Sequence, residues 1–335
     1  MGFRDEKNEI EGRIKFLKRI LLCIAVAFLV ALCIFSLFYP AWTWKYYVGK
    51  PKIEKRADGE MRIHFLSVGQ GDATLIELPD GKTALIDGGD GTEATAKTVL
   101  RYLNALKIKT LDYLIVTHAD SEHCGSLDTV LSQKKVKTVY LPACEPTVDA
   151  EYASFFSALQ EMDCEKRYAS RKEKLSTDDD GYTFSFLLPY AQEVEDGYFL
   201  NSTSDASSSV LWLDYQGVSA LFMGDAPMNR EDELLVEEET LGALSEMGIF
   251  LNSTEILKVA HHGSEKSTGE SFLTYLQPKT AVVSCDDGDL YGLPSERVLQ
   301  DLHDVGAKTY RTDRDGHILV TVTREGIYRC DKIEV

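Results

Sequence analysis

The chain has 335 residues with 44% hydrophobic and 27% charged side chains, which excludes a disordered, collagenous or coiled-coil protein and allows two ordinary domains. The formal net charge is −18, yet the first 60 residues hold 11 basic and 7 acidic side chains, so the rest of the chain stands at −22. A body this acidic repels a nucleic-acid backbone, and binding one would need metal ions or a local basic strip. The seven cysteines include no CxxC pair and predict neither a disulfide framework nor a zinc knuckle.

An uncharged run at 20–39, ILLCIAVAFLVALCIFSLFY, predicts a transmembrane helix near the N-terminus. Basic residues precede it and aromatic residues follow it, as they do at the two faces of a membrane. A cleaved signal peptide is the alternative, but its apolar run is usually shorter and ends in a small-residue cleavage site. We therefore expect a single-pass cell-membrane protein with a short cytoplasmic tail at 1–19, a linker at 40–60 and an extracellular body at 61–335.

The body alternates between strand and helix patterns, which predicts an α/β fold with stacked sheets. Short apolar runs bounded by turn signals predict strands at 62–67, 73–78, 83–87, 111–117, 138–141, 183–188, 209–215, 220–223, 256–260, 280–284, 309–310 and 317–323. Helical spacing of apolar residues predicts helices at 92–106, 149–162, 229–245, 268–276 and 295–305. The charged stretch at 165–180 is predicted to be a surface loop.

The strongest chemical signal follows the apolar strand at 111–117, where the segment THADSEHCG begins. It brings together His118, Asp120, Glu122 and His123, a group that is costly to bury unless a charged species binds it. Imidazole and carboxylate ligands together suit Zn²⁺, Mn²⁺ or Fe. Taken alone, the segment could also be a polar loop that happens to hold two histidines.

Two further strands end in the same kind of residue. LFMGDAP ends a strand at Asp225, and LKVAHHGS ends another at His261 and His262. Three such ends can meet at one edge of a stacked α/β fold. An edge of this composition can hold two metal ions about 3.5–4 Å apart, with a hydroxide as nucleophile.

The segment FLSVGQGDATLIELPDGKTALIDGG at 65–89 is similar to the opening of the metallo-β-lactamase-like domain of the ComEC competence (DNA-uptake) family. The histidine block, the GD strand end and the HHGS strand end follow in the family's order, so the resemblance covers about 61–335. It implies an αββα metallo-β-lactamase-like sandwich, here preceded by one transmembrane helix. It also implies a metal-dependent hydrolase with two divalent ions, Zn or Mn.

The resemblance gives each matching residue a role. The implied metal ligands are His118, Asp120, Glu122, His123, Asp225 and His261. His118 and Asp120 would face one ion, and Glu122 and His123 the other. Asp225 would bridge the two ions, with Asp120 and Asp225 as the catalytic carboxylates. Residues that would orient ligands or contact substrate are Asp72, Asp87, His262, Ser264 and Lys266, with Lys258 as a further phosphate contact. His262 could instead be a metal ligand, and Asp72 could equally cap the VGQGD turn.

The sequence departs from the family pattern at three places. Glu122 stands where the superfamily usually has aspartate, and the motif YGHP reads YGLP at 291–294, with Leu293 in place of histidine. The segment 201–209 holds no histidine at the position of the middle ligand of the β-lactamases. The side chains of that segment that could approach the site are Asn201, Asp205 and Ser208.

The leading hypothesis is a membrane-anchored phosphodiesterase or nuclease that acts on DNA or nucleotides through a metal-activated hydroxide. The same centre could instead hydrolyse an ester, thioester or lactam. Glu122 and Leu293 leave open a third class, a degenerate domain that binds a ligand without cleaving it. The sequence identifies no protein partner.

Overall fold

The computed structural model describes the whole chain except residues 1, 39, 172, 178, 202–204, 237–241, 288–290 and 335. The chain divides into two compact units, Met1–Gly49 and Lys50–Val335. The first unit consists of a long helix, α1 (Phe3–Phe38), and a 3₁₀ turn (Ala41–Tyr46). By length and composition α1 could cross a membrane over Asn8–Leu37, which contains the predicted span 20–39 up to residue 37. Residue 39 lies outside the described part of the chain.

The described residues of the second unit form fourteen strands, ten α-helices and a few short 3₁₀ helices. Strands β1 to β14 are Met61–Phe65, Thr74–Glu77, Thr83–Ile86, Thr110–Ile115, Lys135–Leu141, Glu165–Tyr168, Thr183–Leu188, Val210–Tyr215, Val218–Phe222, Thr254–Lys258, Thr280–Val283, Lys308–Arg311, His317–Val322 and Tyr328–Ile333. Helices α2 to α11 are Glu93–Ala105, Ser121–Cys124, Leu127–Gln133, Ala150–Gln160, Ala191–Glu195, Met228–Val236, Ala243–Glu246, Glu270–Leu276, Glu296–Asp304 and Thr312–Asp315.

The strands form two mixed sheets. One has the order β14-β13-β1-β2-β3-β4-β5-β6 and the other the order β12-β11-β10-β9-β8-β7. Strands β3 to β6 run parallel to one another, as do β9 to β12, and the remaining neighbours are antiparallel. Each parallel half is connected through helices, which is the usual connection between parallel strands.

The two sheets pack face to face over an apolar core that contains Phe65, Phe186 and Phe222. Each of these side chains is at most 2% exposed, and burying one stabilises the fold by roughly 1.5–3 kcal/mol. A second core, which contains Trp212 and Phe272, lies between the second sheet and the helices that follow its strands. This is the αββα sandwich that the sequence predicted.

Some predicted elements differ from the structure. Glu165–Tyr168 pairs in parallel with β5 as an edge strand, so the prediction of a loop there was wrong. All four of its side chains are exposed, and the pairing uses only backbone groups, so no apolar pattern marked it. The helix predicted at 229–245 ends at Val236, and Gly242, at φ +62°, interrupts it before α8; residues 237–241 lie outside the described residues.

Candidate metal centre

The strand directions carry the predicted ligands to one edge of the sandwich. His118 follows β4 in the first sheet, whereas Asp225 and His262 follow β9 and β10 in the second. The two sheets are joined at this edge by the backbone, because Ser209 N–H donates a hydrogen bond of 2.9 Å to the carbonyl of Thr117. The three strand ends that the sequence singled out therefore meet.

A one-turn helix, α3, arranges the histidine block. Asp120 is its N-cap and accepts from the backbone N–H of Ser121, and its carbonyl accepts from the N–H of His123 at 3.0 Å. Gly71 of the GQGD turn packs directly on this helix, since a Cβ there would lie 2.4 Å from the carbonyl oxygen of Glu122. The glycine at 71 is thus required by this close approach as well as by its φ of +146°.

Three fully buried imidazoles point the same ring nitrogen into the site. Their Nδ1 atoms lie 2.8–3.2 Å from polar partners, which are Thr117 Oγ1 for His118, Asp87 Oδ2 for His123 and the Ser284 carbonyl for His262. Each Nδ1–H can donate to its partner, and that tautomer leaves a lone pair on Nε2. None of the three Nε2 atoms has a hydrogen-bond partner in the described part of the chain.

The carboxylate of Asp225 lies at the centre of four imidazoles. Its Oδ2 is 4.0 Å from His118 Nε2, 3.9 Å from His261 Nε2 and 3.7 Å from His262 Nε2. Its Oδ1 lies 3.2 Å from His123 Nε2 but makes no hydrogen bond among the described residues. Buried polar atoms without partners are costly, so this cluster calls for a cation between them.

The ligand candidates form overlapping groups, and one of them joins Asp225 to His118 and His123. His118, Asp120 and Asp205 offer atoms that all lie within 4.8 Å of one another. On the other side, Glu122 Oε2 lies 3.4 Å from His262 Nε2. The longer carboxylate of glutamate thus reaches the site in this chain.

Burial and charge set the protonation states. Burial, with repulsion from His123, lowers the pKa of His118 to about 3, so this imidazole is neutral at physiological pH. Burial alone would lower the pKa of His123, but the carboxylates of Asp225 and Asp87 outweigh it and hold that pKa well above the ordinary value. Burial would likewise raise the pKa of Asp225, but His123 and His262 hold it well below. Asp225 is therefore an ionised carboxylate, and the site favours positive charge.

The profile of the metallo-beta-lactamase superfamily matches residues 66–286. The chain belongs to the metallo-β-lactamase superfamily. Its nitrogen and carboxylate ligand atoms are of the kinds that bind divalent metal ions in proteins, and several are buried without a hydrogen-bond partner among the described residues.

The curated relatives of this chain are competence-related proteins, which confirms the predicted resemblance to the competence family. The chain is 31% identical over 278 residues to ComE operon protein 3 of Bacillus subtilis, covering 77% of this chain and 33% of that protein. Competence protein ComA of Neisseria gonorrhoeae is 27% identical over 81% of this chain and 33% of its own length. Recombination protein 2 of Haemophilus influenzae is 26% identical over 77% of this chain and 28% of its own. The chain thus spans about a third of these relatives.

Solved structures of the same fold resemble it more distantly. The metallo-β-lactamase fold protein YhfI of Bacillus subtilis is 10% identical with a TM-score of 0.45, covering 81% of this chain and 99% of that one. A diphosphatase of the PhnP family is 17% identical with a TM-score of 0.45, covering 79% of this chain and 99% of that one.

The buried carboxylate of Asp87 positions the histidine block through contacts with Thr117 and His123. It accepts 2.8 and 2.7 Å hydrogen bonds from the backbone N–H and hydroxyl of Thr117, and lies 2.8 Å from His123 Nδ1. Asp72 instead pairs with Lys258, whose Nζ lies 2.8 Å from Asp72 Oδ2. Lys258 is 2% exposed, so its predicted contact with substrate phosphate was wrong.

The remaining predicted residues lie around the cleft that opens over the ligands. Ser264 and Lys266 line this cleft together with His261. Asp205, which the sequence offered only as one of three residues near the missing middle histidine, lies 3.4 Å from His261 Nδ1. Ser208 accepts a hydrogen bond of 3.1 Å from the Asp225 N–H, whereas Asn201 is exposed.

Proposed function

We propose that this chain is a membrane-anchored, metal-dependent phosphodiesterase that cleaves DNA or nucleotides. The observation that carries the proposal is a set of three buried imidazoles around the Asp225 carboxylate, whose Nε2 atoms have no hydrogen-bond partner among the described residues. The names of the curated relatives support the choice of substrate, since they refer to competence and recombination. Helix α1 would anchor the protein in the cell membrane, with the body outside the cell.

Two divalent ions, Zn or Mn, would be held by two sets of ligands. The first set is His118, Asp120 and Asp205; the second is Glu122, His123 and His262; Asp225 would serve both, with His261 closing the site. Divalent ions bound there lower the pKa of water and polarise a phosphoryl oxygen. The protein's own contribution is to fix the ligands, because Asp87, Thr117 and the Ser284 carbonyl each hold the far side of one imidazole.

Few side chains in the cleft could bind the negative charge of the substrate phosphates. Lys266 is exposed in it. Burial raises the pKa of the nearby Asp205 carboxyl, although the charges of His261 and Lys266 oppose this shift. We propose that Lys266 and Ser264 contact the phosphate next to the reacting one. Contacts of this kind orient the scissile bond, and orientation is a large part of the catalysis of phosphoryl transfer.

The test combines metal content with cleavage by the full chain in detergent. We expect bound Zn²⁺ or Mn²⁺ by mass spectrometry, and cleavage of bis-p-nitrophenyl phosphate and of single-stranded DNA. Asp225→Ala should abolish both metal binding and cleavage, whereas Asp214→Ala, a half-buried aspartate of β8 away from the site, should keep both. Absence of metal from the wild-type protein would contradict the proposal, and faster hydrolysis of a thioester panel would assign it to carbonyl substrates.

A further inference from the structure

A cleft of about 720 Å³ lies over the candidate ligands and is bounded by two adjacent loops. One loop holds residues 264–266, and the other holds residues 291–295 and leads into α10 at Glu296. They touch, because Ser295 N–H donates a 2.9 Å hydrogen bond to the Gly263 carbonyl and a Cβ on Gly263 would lie 2.5 Å from the Pro294 Cβ. The second loop is thus held beside Gly263, which directly follows His262 at the end of β10. The volume falls in the range of clefts that bind small organic ligands.

Apart from the proposed metal ions, the cleft offers little positive charge to a polyanion. Its acidic lining residues are Asp120, Glu122, Asp225, Glu265 and Glu296. Lys266 is the single lysine or arginine among the described residues that line it. Since the chain beyond residue 60 also carries a net charge of −22, an uncharged contact would strengthen the binding of a substrate that the proposed metal ions hold only by its phosphates.

An aromatic ring supplies that contact. Tyr291 lines the cleft and is 78% exposed, so its ring is accessible to a planar ligand. Leu293 lines the cleft two residues further on and can offer only an apolar contact. A nucleobase stacks on an exposed aromatic ring whatever its sequence, because every base has a π face.

We propose that Tyr291 is the stacking platform of a nucleobase subsite, with Leu293 as its apolar neighbour. The inference rests on the proposed phosphodiesterase function and specifies its substrate: a nucleotide or single-stranded nucleic acid whose base next to the scissile phosphate lies on Tyr291. The leucine in YGLP then belongs to base binding, and the phosphates are left to the ligand cluster and Lys266.

The test compares two substrates of equal charge, a short single-stranded DNA and an abasic oligomer with the same number of phosphates. The full chain in detergent with Mn²⁺ should have a KM for the base-bearing oligomer about 5- to 100-fold below that for the abasic one. Tyr291→Ala should remove this preference, and Tyr291→Trp should retain it. Tyr198→Ala is the matched control, because Tyr198 is 75% exposed but lies outside the cleft lining.

The outcomes separate the subsite from the proposed function. Equal KM values for the two oligomers in the wild type, or an unchanged preference in Tyr291→Ala, would overturn the subsite while cleavage itself stands. If neither oligomer is cleaved, the proposed function fails, and fluorescence anisotropy with the same oligomers and Mn²⁺ decides the subsite. Tighter binding of the base-bearing oligomer that Tyr291→Ala abolishes would then support it, and equal binding would overturn it.

Discussion

The side chain of Glu122 shows how one extra methylene is accommodated at a metal site. Its backbone carbonyl accepts from Asp72 N–H at 3.2 Å, which fixes the main chain, and its carboxylate then reaches to 3.4 Å from His262 Nε2. The His262 side chain helps to hold the pKa of this carboxyl below its usual value. Because the backbone of Glu122 is fixed in this way, a side chain of this length is needed to bring the carboxylate close to His262.

We therefore expect Glu122→Asp to weaken the site, although it restores the residue usual in the superfamily. The shorter side chain would withdraw the carboxylate from His262 by more than 1 Å, and a displacement of about 1 Å can lower a rate on the order of 10²-fold. Titration with Zn²⁺ and Mn²⁺ and phosphodiesterase rates at saturating metal measure the effect. Glu265→Asp, in an exposed carboxylate of the same cleft, is the control. Tighter metal binding by Glu122→Asp would show instead that glutamate impairs the site.

A buried ion pair lies next to the ligand His262. Lys258 and Asp72 are both nearly inaccessible, so removing one charge leaves the other buried without a partner. Lys258→Met should lower the free energy of unfolding by about 3–5 kcal/mol and weaken metal binding through a displaced Asp72, which lies 3.8 Å from His262 Nδ1.

The double variant Lys258→Met/Asp72→Asn should recover part of that stability, because it removes both charges. Lys134→Met is the matched control, since Lys134 is also buried but donates to Asn104 and to the Ile108 carbonyl, outside the ligand cluster. It should lower stability without changing the metal affinity. An equal loss of metal binding in both single variants would refute a specific role for Lys258.

At the scale of elements, two helices hold the loop that follows the HHGS strand end. Glu231 of α7 accepts hydrogen bonds from the backbone N–H groups of Thr268 and Gly269, at 2.5 and 2.8 Å. Arg297 of α10 donates to the carbonyls of Ser267 and Thr268, at 2.7 and 3.1 Å. The loop that carries Lys266 is thereby held by side chains from two different helices, α7 and α10.

Burial of Glu231 makes this arrangement pH-dependent. Burial raises its pKa from 4.5 to about 7, so the folded protein holds the proton more tightly than the unfolded chain does. This contribution to stability is full below pH 4.5 and is lost as the pH rises through 7, which lowers the free energy of unfolding by about 3 kcal/mol. Thermal unfolding at pH 5 and pH 8 should show a smaller loss in Glu231→Gln. Asp232→Asn, an exposed carboxylate of the same helix, should behave as wild type, and equal losses in all three proteins would refute the assignment.

The same scale shows what could be predicted from the sequence. Apolar strands that end in His or Asp are visible as patterns, so the meeting of His118, Asp225 and His261 could be expected from them. Edge strands such as β6 and β14 carry many exposed polar side chains and are held by backbone pairing, which leaves no such pattern. The position of Asp205 in the site depends on how the two sheets pack at the edge. The burial of Lys258 depends on its ion pair with Asp72. Neither can be read from the local sequence.

At the scale of the whole molecule, the negative charge of the body predicts an unusual salt dependence. A nuclease that binds the backbone through many basic side chains loses affinity steeply with salt, whereas this cleft has one lysine among its described lining residues. The KM for single-stranded DNA should rise only about two- to sevenfold between 50 and 200 mM salt, as expected for one or two phosphate contacts. A rise of about 10³-fold would point to a basic surface elsewhere, and Lys266→Gln should flatten the dependence further.

The division of the chain into an apolar helix and a body with its own cores leads to the last prediction. Side chains of α1 such as Leu21, Phe28 and Leu37 are 63%, 64% and 81% exposed. An apolar surface of this size leads to aggregation in water. The body instead buries its apolar residues between its sheets and helices. Residues 50–335 alone should therefore be soluble without detergent and keep the metal content and kcat of the full chain, whereas the full chain should need detergent. Size-exclusion chromatography and metal analysis of both proteins measure this. A body that aggregates, or that loses its metal when α1 is removed, would show that α1 contributes to the fold of the site as well as to anchoring.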